Sequence, residues 1–239
     1  MKARLTIRSS ICREPVIARP VIRNPIPFPI FRHHIRRFMN SSSQGDEKIG
    51  LTKGDALVIV DLQNDFLPGG SLAVPGGEQV IPVLNGYIER FARQGLPIFA
   101  TRDWHPKNHS SFVAQGGPWP EHCVAGTRGA DFAPSLHLPI STQVISAGIE
   151  VERDGYSAFE TPFFQQQLEK AGTTRLFIGG LATDYCVLNT VLDALALHYR
   201  VCLLFDAVRA VNVKPQDGEK AVQEMVRRGA KPIKQAMIL

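Results

Sequence analysis

Short apolar segments alternate with longer amphipathic segments along the chain from residue 54 onward. Such apolar segments are typical of strands that are buried on both faces of a parallel sheet. The amphipathic segments repeat apolar residues every three or four positions, as helices with one buried face do. The predicted fold class is therefore α/β, with a mostly parallel sheet and helices on both faces. The pattern predicts strands over 56–61, 97–101, 142–146, 175–180 and 201–205, and helices over 78–94, 161–171, 183–199 and 218–228.

One long segment, residues 102–141, shows little periodicity and separates the second predicted strand from the third. A loop of this length inside a compact domain usually carries function. In open parallel sheets, ligands bind beyond the carboxyl ends of the strands. Asp61 ends the first predicted strand, Asp103 follows the second, and Cys186 follows the fourth. We therefore expect these three side chains at one edge of the sheet.

Cys186 lies in the turn that leads from the fourth predicted strand into a helix. The positive end of the helix dipole lowers the pKa of a thiol in the first turn and favours the thiolate. Together with the carboxylate of Asp61, such a thiol forms a nucleophile with a proton carrier. Position alone leaves structural roles open, because Cys186 also suits a small buried site and Asp61 suits a cap.

The long loop also concentrates histidines, since His105, His109 and His122 follow Asp103 within it. One carboxylate with two or three imidazoles leaves coordination positions open and suits a zinc, iron or manganese ion. A set of solvated loop histidines is the alternative that the spacing leaves open. Nearby aromatic residues either wall a flat ring or pack in the core: Phe66, Trp104, Trp119 and Tyr156.

The net charge of +5 suggests a nucleic-acid partner, but the positive charge is confined to one segment. Residues 1–50 contain ten Lys and Arg against three Asp and Glu, and residues 51–239 are net negative. We therefore divide the chain into a basic, Pro-rich leader over 1–50 and a folded domain over 51–239. The charge of the folded domain gives no reason to expect a nucleic-acid partner.

Two interpretations of the leader stay open. It is rich in Arg and poor in acids, as an organelle transit peptide is, but its prolines oppose the amphipathic helix that such peptides form. Met39 precedes a polar segment just before the first patterned residues, so one hypothesis places the true start of the protein at Met39. The other hypothesis is a basic tail without a fold of its own.

Cysteine content and hydropathy bear on the compartment. Four scattered cysteines are too few for a disulfide framework, which favours a reducing compartment such as the cytoplasm. No apolar run approaches the about 18 residues of a membrane-spanning helix, so no membrane partner is expected. A homo-oligomer is compatible with the sequence.

Five ordered motifs resemble the nicotinamidase branch of the isochorismatase-like cysteine hydrolases. They occupy residues 60–70, 101–106, 119–127, 154–159 and 179–187, and the resemblance covers about residues 55–230. It implies an isochorismatase-like, three-layer α/β/α fold. It also implies a metal-containing cysteine amidohydrolase that converts nicotinamide, or a related pyridine carboxamide, to the acid and ammonia, as in NAD salvage. The alternatives are another amidase of the family and an inactive protein that only binds its ligand.

The resemblance also implies roles for individual residues. Cys186 matches the nucleophile, and Asp61 matches the acid and base. An oxyanion hole is expected at the backbone N–H groups of Ala182 and Cys186, with a cis peptide bond between Leu181 and Ala182. One divalent metal ion is expected, zinc first and iron or manganese next, on Asp103, His105 and His122, with His109 as a ligand in some members. The expected walls around the substrate ring are Phe66, Trp119 and Tyr156.

One position departs from the family pattern. The family carries a catalytic lysine shortly before the Tyr-Ser-Ala-Phe motif, and here Ala147 stands in its place. No lysine occurs between Lys107 and Lys170. Three explanations are open: an engineered inactivation, a natural loss in a weakened or repurposed protein, or replacement of the lysine by Arg153. We favour a loss of function over replacement, because the planar guanidinium of Arg is not a compact point charge.

Overall fold

The structure is a computed structural model that describes residues 47–239. Most of the predicted leader, including Met39, lies outside the described residues. The predicted boundary at residue 51 falls just after Ile49, which is buried and forms an isolated parallel bridge with Ile238.

Six parallel strands form one sheet in the order β3-β2-β1-β4-β5-β6. This confirms the predicted α/β class. The five predicted strands are present, and Asp103 is the last residue of the second strand instead of following it. The sixth strand was not predicted, because three residues that begin with Lys-Pro give no apolar pattern. The strands are β1 Asp55–Val60, β2 Ile98–Asp103, β3 Gln143–Ala147, β4 Arg175–Leu181, β5 Arg200–Arg209 and β6 Lys231–Ile233.

Four α-helices cover the sheet. The third helix is shorter than the prediction over 183–199, because residues 183–185 form a turn and His198 adopts a left-handed φ of 67°. Cys186 is therefore the first residue of that helix, directly after the turn that follows the fourth strand. The helices are α1 Val80–Arg93, α2 Pro162–Lys170, α3 Cys186–Ala196 and α4 Asp217–Arg228.

The helices lie on both faces of the sheet, as predicted. Successive side chains of a strand point to opposite faces. In β4, Leu176 and Ile178 belong to the core cluster that contains the buried residues of α2, α3 and α4. Phe177 points the other way and packs edge-on against Phe91 of α1, with ring centroids 5.2 Å apart. The sheet is thus buried on both sides, which explains its continuous apolar strands.

The chain order reverses between β1 and β4. From β1 the chain passes outward to β2 and β3, and then returns to β4 on the other side of β1. Such a switch point opens a crevice beyond the carboxyl ends of the two central strands. Asp61 directly follows β1, and the turn that ends in Cys186 directly follows β4. The fold therefore brings both residues to this crevice.

Residues 47–239 contain no helix with the length and apolar character needed to cross a lipid bilayer. The cytoplasmic location stays a prediction from the cysteine content.

Candidate active site and metal centre

Asp61 is buried at the end of β1, where the backbone turns through a left-handed φ of 48°. Its carboxylate accepts a hydrogen bond of 2.5 Å from the Thr101 hydroxyl, and its N–H donates to the Thr101 carbonyl at 3.3 Å. Burial, together with the nearby charge of Asp103, raises the pKa of Asp61 to about 8. A carboxyl group with such a pKa can exchange protons near neutral pH.

Cys186 is buried at the start of α3. One ligand atom each from Asp61, Asp103 and Cys186 lie within 4.8 Å of one another. Burial and the charges of Asp61 and Asp103 raise the pKa of the Cys186 thiol well above its ordinary value. The lowered thiol pKa that the helix terminus predicted is therefore wrong for these surroundings, because burial and two carboxylates outweigh the dipole. The thiol needs a base and a nearby positive charge to ionise.

The predicted metal ligands Asp103, His105 and His122 also lie together, with their ligand atoms within 4.8 Å of one another. The Nε2 atoms of His105 and His122 are 3.4 Å and 3.9 Å from the same oxygen, Oδ2 of Asp103. All three residues are buried. One carboxylate and two imidazoles that meet at one point are a typical ligand set for a divalent metal ion.

The hydrogen bonds of the two histidines show that a metal ion fits this group. His105 Nδ1 lies 3.0 Å from the Gly148 carbonyl, and His122 Nδ1 lies 2.8 Å from the Pro120 carbonyl. Because a carbonyl only accepts, each Nδ1 carries the hydrogen, and each neutral ring turns an Nε2 lone pair toward Asp103. Burial lowers the pKa of His105, but the hydrogen bond and charge of Asp103 outweigh it and raise that pKa. The carboxylate thus attracts positive charge, which a divalent ion supplies.

His109 is held apart from this group. Its Nε2 donates to the Arg153 carbonyl at 2.8 Å, and its Nδ1 lies 2.7 Å from the Ser111 hydroxyl. The ring packs on His105, with centroids 4.1 Å apart. With both nitrogens occupied, His109 supports the ring of His105 from behind, and in this arrangement it offers no lone pair to a metal ion.

Aromatic side chains enclose a small cavity beside Cys186. Trp119 Nε1 donates to the Tyr156 hydroxyl at 2.8 Å, and Phe66 packs against His122. Tyr185 contacts both Trp119 and Tyr156. Asp103, His122 and Cys186 line the same cavity. Sequence reasoning found Phe66, Trp119 and Tyr156 but missed other lining residues: Leu72, Val74, Tyr185 and Val211.

Two backbone N–H groups border the same cavity. Within residues 47–239, neither the N–H of Ala182 nor that of Cys186 has a hydrogen-bond acceptor. The peptide bond between Leu181 and Ala182 is cis, as the resemblance implied. Unpaired donors beside a thiol are positioned to stabilise an oxyanion.

Ala147 ends β3 beside the metal ligands, where it pairs with Asp103 across the parallel ladder. In the described part of the chain, the ion pairs of Asp103 involve only His105 and His122, and no lysine or arginine pairs with Asp61. The guanidinium of Arg153 lies 3.5 Å from the Glu150 carboxylate and is largely exposed. Residues 47–239 therefore place no lysine or arginine side chain in an ion pair at this position, and the side chain of Arg153 points to Glu150 instead.

Comparison with known proteins agrees with this geometry. The model of the isochorismatase domain matches residues 55–237. The chain belongs to the isochorismatase family. The nicotinamidase of Escherichia coli (strain K12) is 40% identical to this family member over 196 residues, 73% of this chain and 92% of that protein.

Two solved structures resemble this isochorismatase-family chain closely. The pyrazinamidase of Pyrococcus horikoshii in complex with zinc is 47% identical, with a TM-score of 0.73 over 76% of this chain and 99% of that chain. PnC1 from L. infantum in complex with nicotinate is 35% identical, with a TM-score of 0.74 over 80% of this chain and 98% of that chain.

Gly148 offers a test of the metal centre. Its φ is 62°, and a Cβ added there overlaps the ring of His105. We expect Gly148→Ala to displace that ring and lower the content of bound divalent metal by about 10-fold or more, because the backbone acceptor of His105 shifts as well. Gly172→Ala is the matched control, since Gly172 has a φ of 65° but open space around its Cβ. Metal analysis after dialysis measures both variants, and equal metal content in the two contradicts the assignment of His105.

Proposed function

We propose that this protein hydrolyses nicotinamide to nicotinate and ammonia, with Cys186 as nucleophile. The observation that carries the proposal is that the buried thiol of Cys186 lines one aromatic cavity with Asp103 and His122, while the carboxyl group of Asp61 lies next to Asp103 and Cys186. The relatives named nicotinamidase and pyrazinamidase support it, as does the neighbour in complex with nicotinate. Nicotinate formed in this way is a precursor for NAD synthesis.

The first half of the reaction forms a thioester. Asp61 takes the proton of the Cys186 thiol, and the thiolate attacks the carboxamide carbon of nicotinamide. The N–H groups of Ala182 and Cys186 donate hydrogen bonds to the developing oxyanion. Asp61 then gives its proton to the departing nitrogen, so that the carbon–nitrogen bond breaks, ammonia leaves, and the nicotinoyl group remains bound to the Cys186 sulfur as a thioester.

The second half releases nicotinate. Asp61 is again a carboxylate and takes a proton from an attacking water molecule. The water oxygen attacks the thioester carbon, the carbon–sulfur bond breaks, and the proton returns to the sulfur of Cys186. Over both halves, one water is consumed, and one nicotinate and one ammonium are released, because the acid product gives its proton to ammonia.

Asp103, His105 and His122 would hold a zinc ion, and this ion would supply an electropositive anchor for the ring nitrogen of the substrate. Zinc suits one carboxylate and two imidazoles. Trp119, Tyr156 and Phe66 pack around the ring and exclude water from it. These contacts orient the carboxamide toward Cys186.

Binding without rapid turnover is a second candidate function, and Ala147 favours it. The described residues place no lysine or arginine in an ion pair with Asp61, so the thiolate forms at a higher free-energy cost than it would beside a cation. We therefore expect slow hydrolysis by this chain. An inactive ligand-binding protein would bind nicotinamide and release no ammonia.

Ammonia release from nicotinamide tests the proposed function. We expect the zinc-loaded protein to release ammonia and nicotinate in equal amounts, at a low rate. Benzamide, which has the same shape without the ring nitrogen, should react at least about 10-fold more slowly, because it lacks the group that the metal centre anchors. If neither this chain nor its Ala147→Lys variant releases ammonia from nicotinamide, the proposed substrate is wrong.

A further inference from the structure

The side chain of Gln63 holds the backbone of the metal ligand Asp103 from both sides. Gln63 is fully buried. Its Oε1 accepts from the N–H of Asp103 at 2.8 Å, and its Nε2 donates to the carbonyl of Asp103 at 2.7 Å. A third bond of 3.0 Å runs from Nε2 to the carbonyl of Ala130. Every polar atom of this amide is thus directed at backbone groups around the metal centre.

We propose that Gln63 is a positioning residue that fixes Asp103 for metal binding. The inference rests on the metal centre of the proposed function, but not on the substrate. Within the described residues, the side-chain hydrogen bonds of Gln63 go to backbone groups, and Gln63 does not line the cavity. Its action on the metal centre therefore runs through the backbone that carries the Asp103 carboxylate.

The end of the β1–β2 ladder shows why Asp103 needs this support. Residue pairing between β1 and β2 ends at Ile59 and Ala100, because the chain turns away from the sheet at Asp61. The last residues of β2 therefore lose their neighbour strand on this side. The amide of Gln63 replaces that strand, because it presents one acceptor and one donor to Asp103 as a backbone would.

The same contacts join three parts of the site. Gln63 lies two residues after Asp61, which we propose as the acid and base. Its amide reaches Asp103 at the end of β2, and Ala130 in the loop that follows His122. A shift of Gln63 therefore moves a metal ligand relative to the proton carrier.

Residue type matters at this position. In Gln63→Glu, one carboxylate oxygen replaces the donor Nε2 and faces the carbonyl oxygens of Asp103 and Ala130, which repel it. In Gln63→Met, a similar volume is kept, but the backbone groups of Asp103 lose their partners. Substitution of groups that orient metal ligands typically costs 10- to 100-fold in metal affinity, and we expect a loss in this range for both variants.

Asn64→Ala is the matched control. Asn64 belongs to the same turn and donates from Nδ2 to the carbonyl of Arg128 at 2.7 Å, but it contacts no metal ligand. We expect its zinc affinity to stay within about 2-fold of the wild type. Zinc affinity of the full-length proteins is measured by competition with a chromophoric chelator, and urea unfolding of each protein with chelator present measures stability without the metal.

The outcomes separate a positioning role from a structural one. If Gln63→Glu and Gln63→Met lower only the unfolding midpoint and bind zinc as tightly as Asn64→Ala, the proposal is wrong. If Gln63→Met does not fold, Gln63→Glu, which keeps an acceptor for Asp103, decides alone. A 10-fold loss of zinc affinity in a protein that releases no ammonia would support Gln63 and reject the proposed substrate. Normal zinc affinity in a Gln63→Glu variant that releases ammonia would reject the positioning role of Gln63 and support the proposed substrate.

Discussion

Ammonia release is expected to fall by about 10⁴-fold, or to the detection limit, when Cys186 is replaced by alanine. The reaction that we propose passes through a thioester on the Cys186 sulfur, and no other side chain of the cavity offers an equivalent nucleophile. In the Cys186→Ala variant, Asp61 remains as a base for a water molecule, because its carboxylate lies within 4.8 Å of the position of the thiol. However, direct attack of water on an unactivated amide is far slower than attack of a thiolate.

Bound zinc should be unchanged in the Cys186→Ala variant, because the metal group consists of Asp103, His105 and His122. Metal analysis of the same samples therefore separates loss of the nucleophile from collapse of the site. Cys202→Ala is the matched control, since Cys202 is also buried but lies in β5, away from the cavity. Turnover of Cys186→Ala at a rate close to that of Cys202→Ala would show that the thiol is not the nucleophile.

The sequence predicts the sheet well because each central strand is covered on both faces. Burial on both sides demands a continuous apolar segment, and β1, β2, β4 and β5 carry one. The edge strand β6 has only three residues and contains Lys231 and Pro232, so its pattern is indistinguishable from a loop. Its position depends on pairing with β5, a tertiary contact that local patterns do not report.

The sequence indicates the residues of the site whose side chains can themselves react or bind a metal ion, but not the residues that support them. The ends of the strands marked Asp61, Asp103 and Cys186, and the loop marked the histidines as candidate ligands, while the family resemblance implied the role of each residue. Gln63 supports the metal centre by bonding its side-chain amide to the backbone of Asp103, and Gly148 does so through its own backbone carbonyl. Neither residue is a metal ligand or a nucleophile, so the search for chemistry-bearing side chains gives no signal for them. Gly148 lies at the carboxyl end of β3, and attention to that strand end could have found it.

Replacing Ala147 by lysine is expected to raise the rate of ammonia release by about 10²- to 10³-fold. Two carboxylates and a thiol lie buried together, and within residues 47–239 no lysine or arginine forms an ion pair with either carboxylate. An ammonium group there stabilises the thiolate and the negative charge that develops during attack. Residue 147 is in register with Asp103, so its side chain starts one strand away from these groups.

The orientation of residue 147 favours this outcome. Ile145 and Ala147 lie two positions apart in β3 and therefore point to the same face of the sheet. Ile145 belongs to the core cluster that also contains Cys186. A lysine at position 147 thus extends on the face that carries the thiol. Ala147→Met is the matched control, because it adds a chain of similar length without the charge.

Both variants are loaded with one equivalent of zinc, and the initial rate of ammonia release is measured for each across a pH series. Activity needs the carboxylate of Asp61, whose pKa is raised mainly by burial, so the rate rises with pH through the pKa that Asp61 has in the zinc-loaded protein. A neighbouring ammonium favours the carboxylate and lowers the pKa, so the rising limb should move to lower pH only in Ala147→Lys. Equal rates in Ala147→Lys and Ala147→Met would show that charge at this position does not limit the reaction. A gain in Ala147→Lys alone means that the other residues of the site are competent, and that this chain lacks one positive charge.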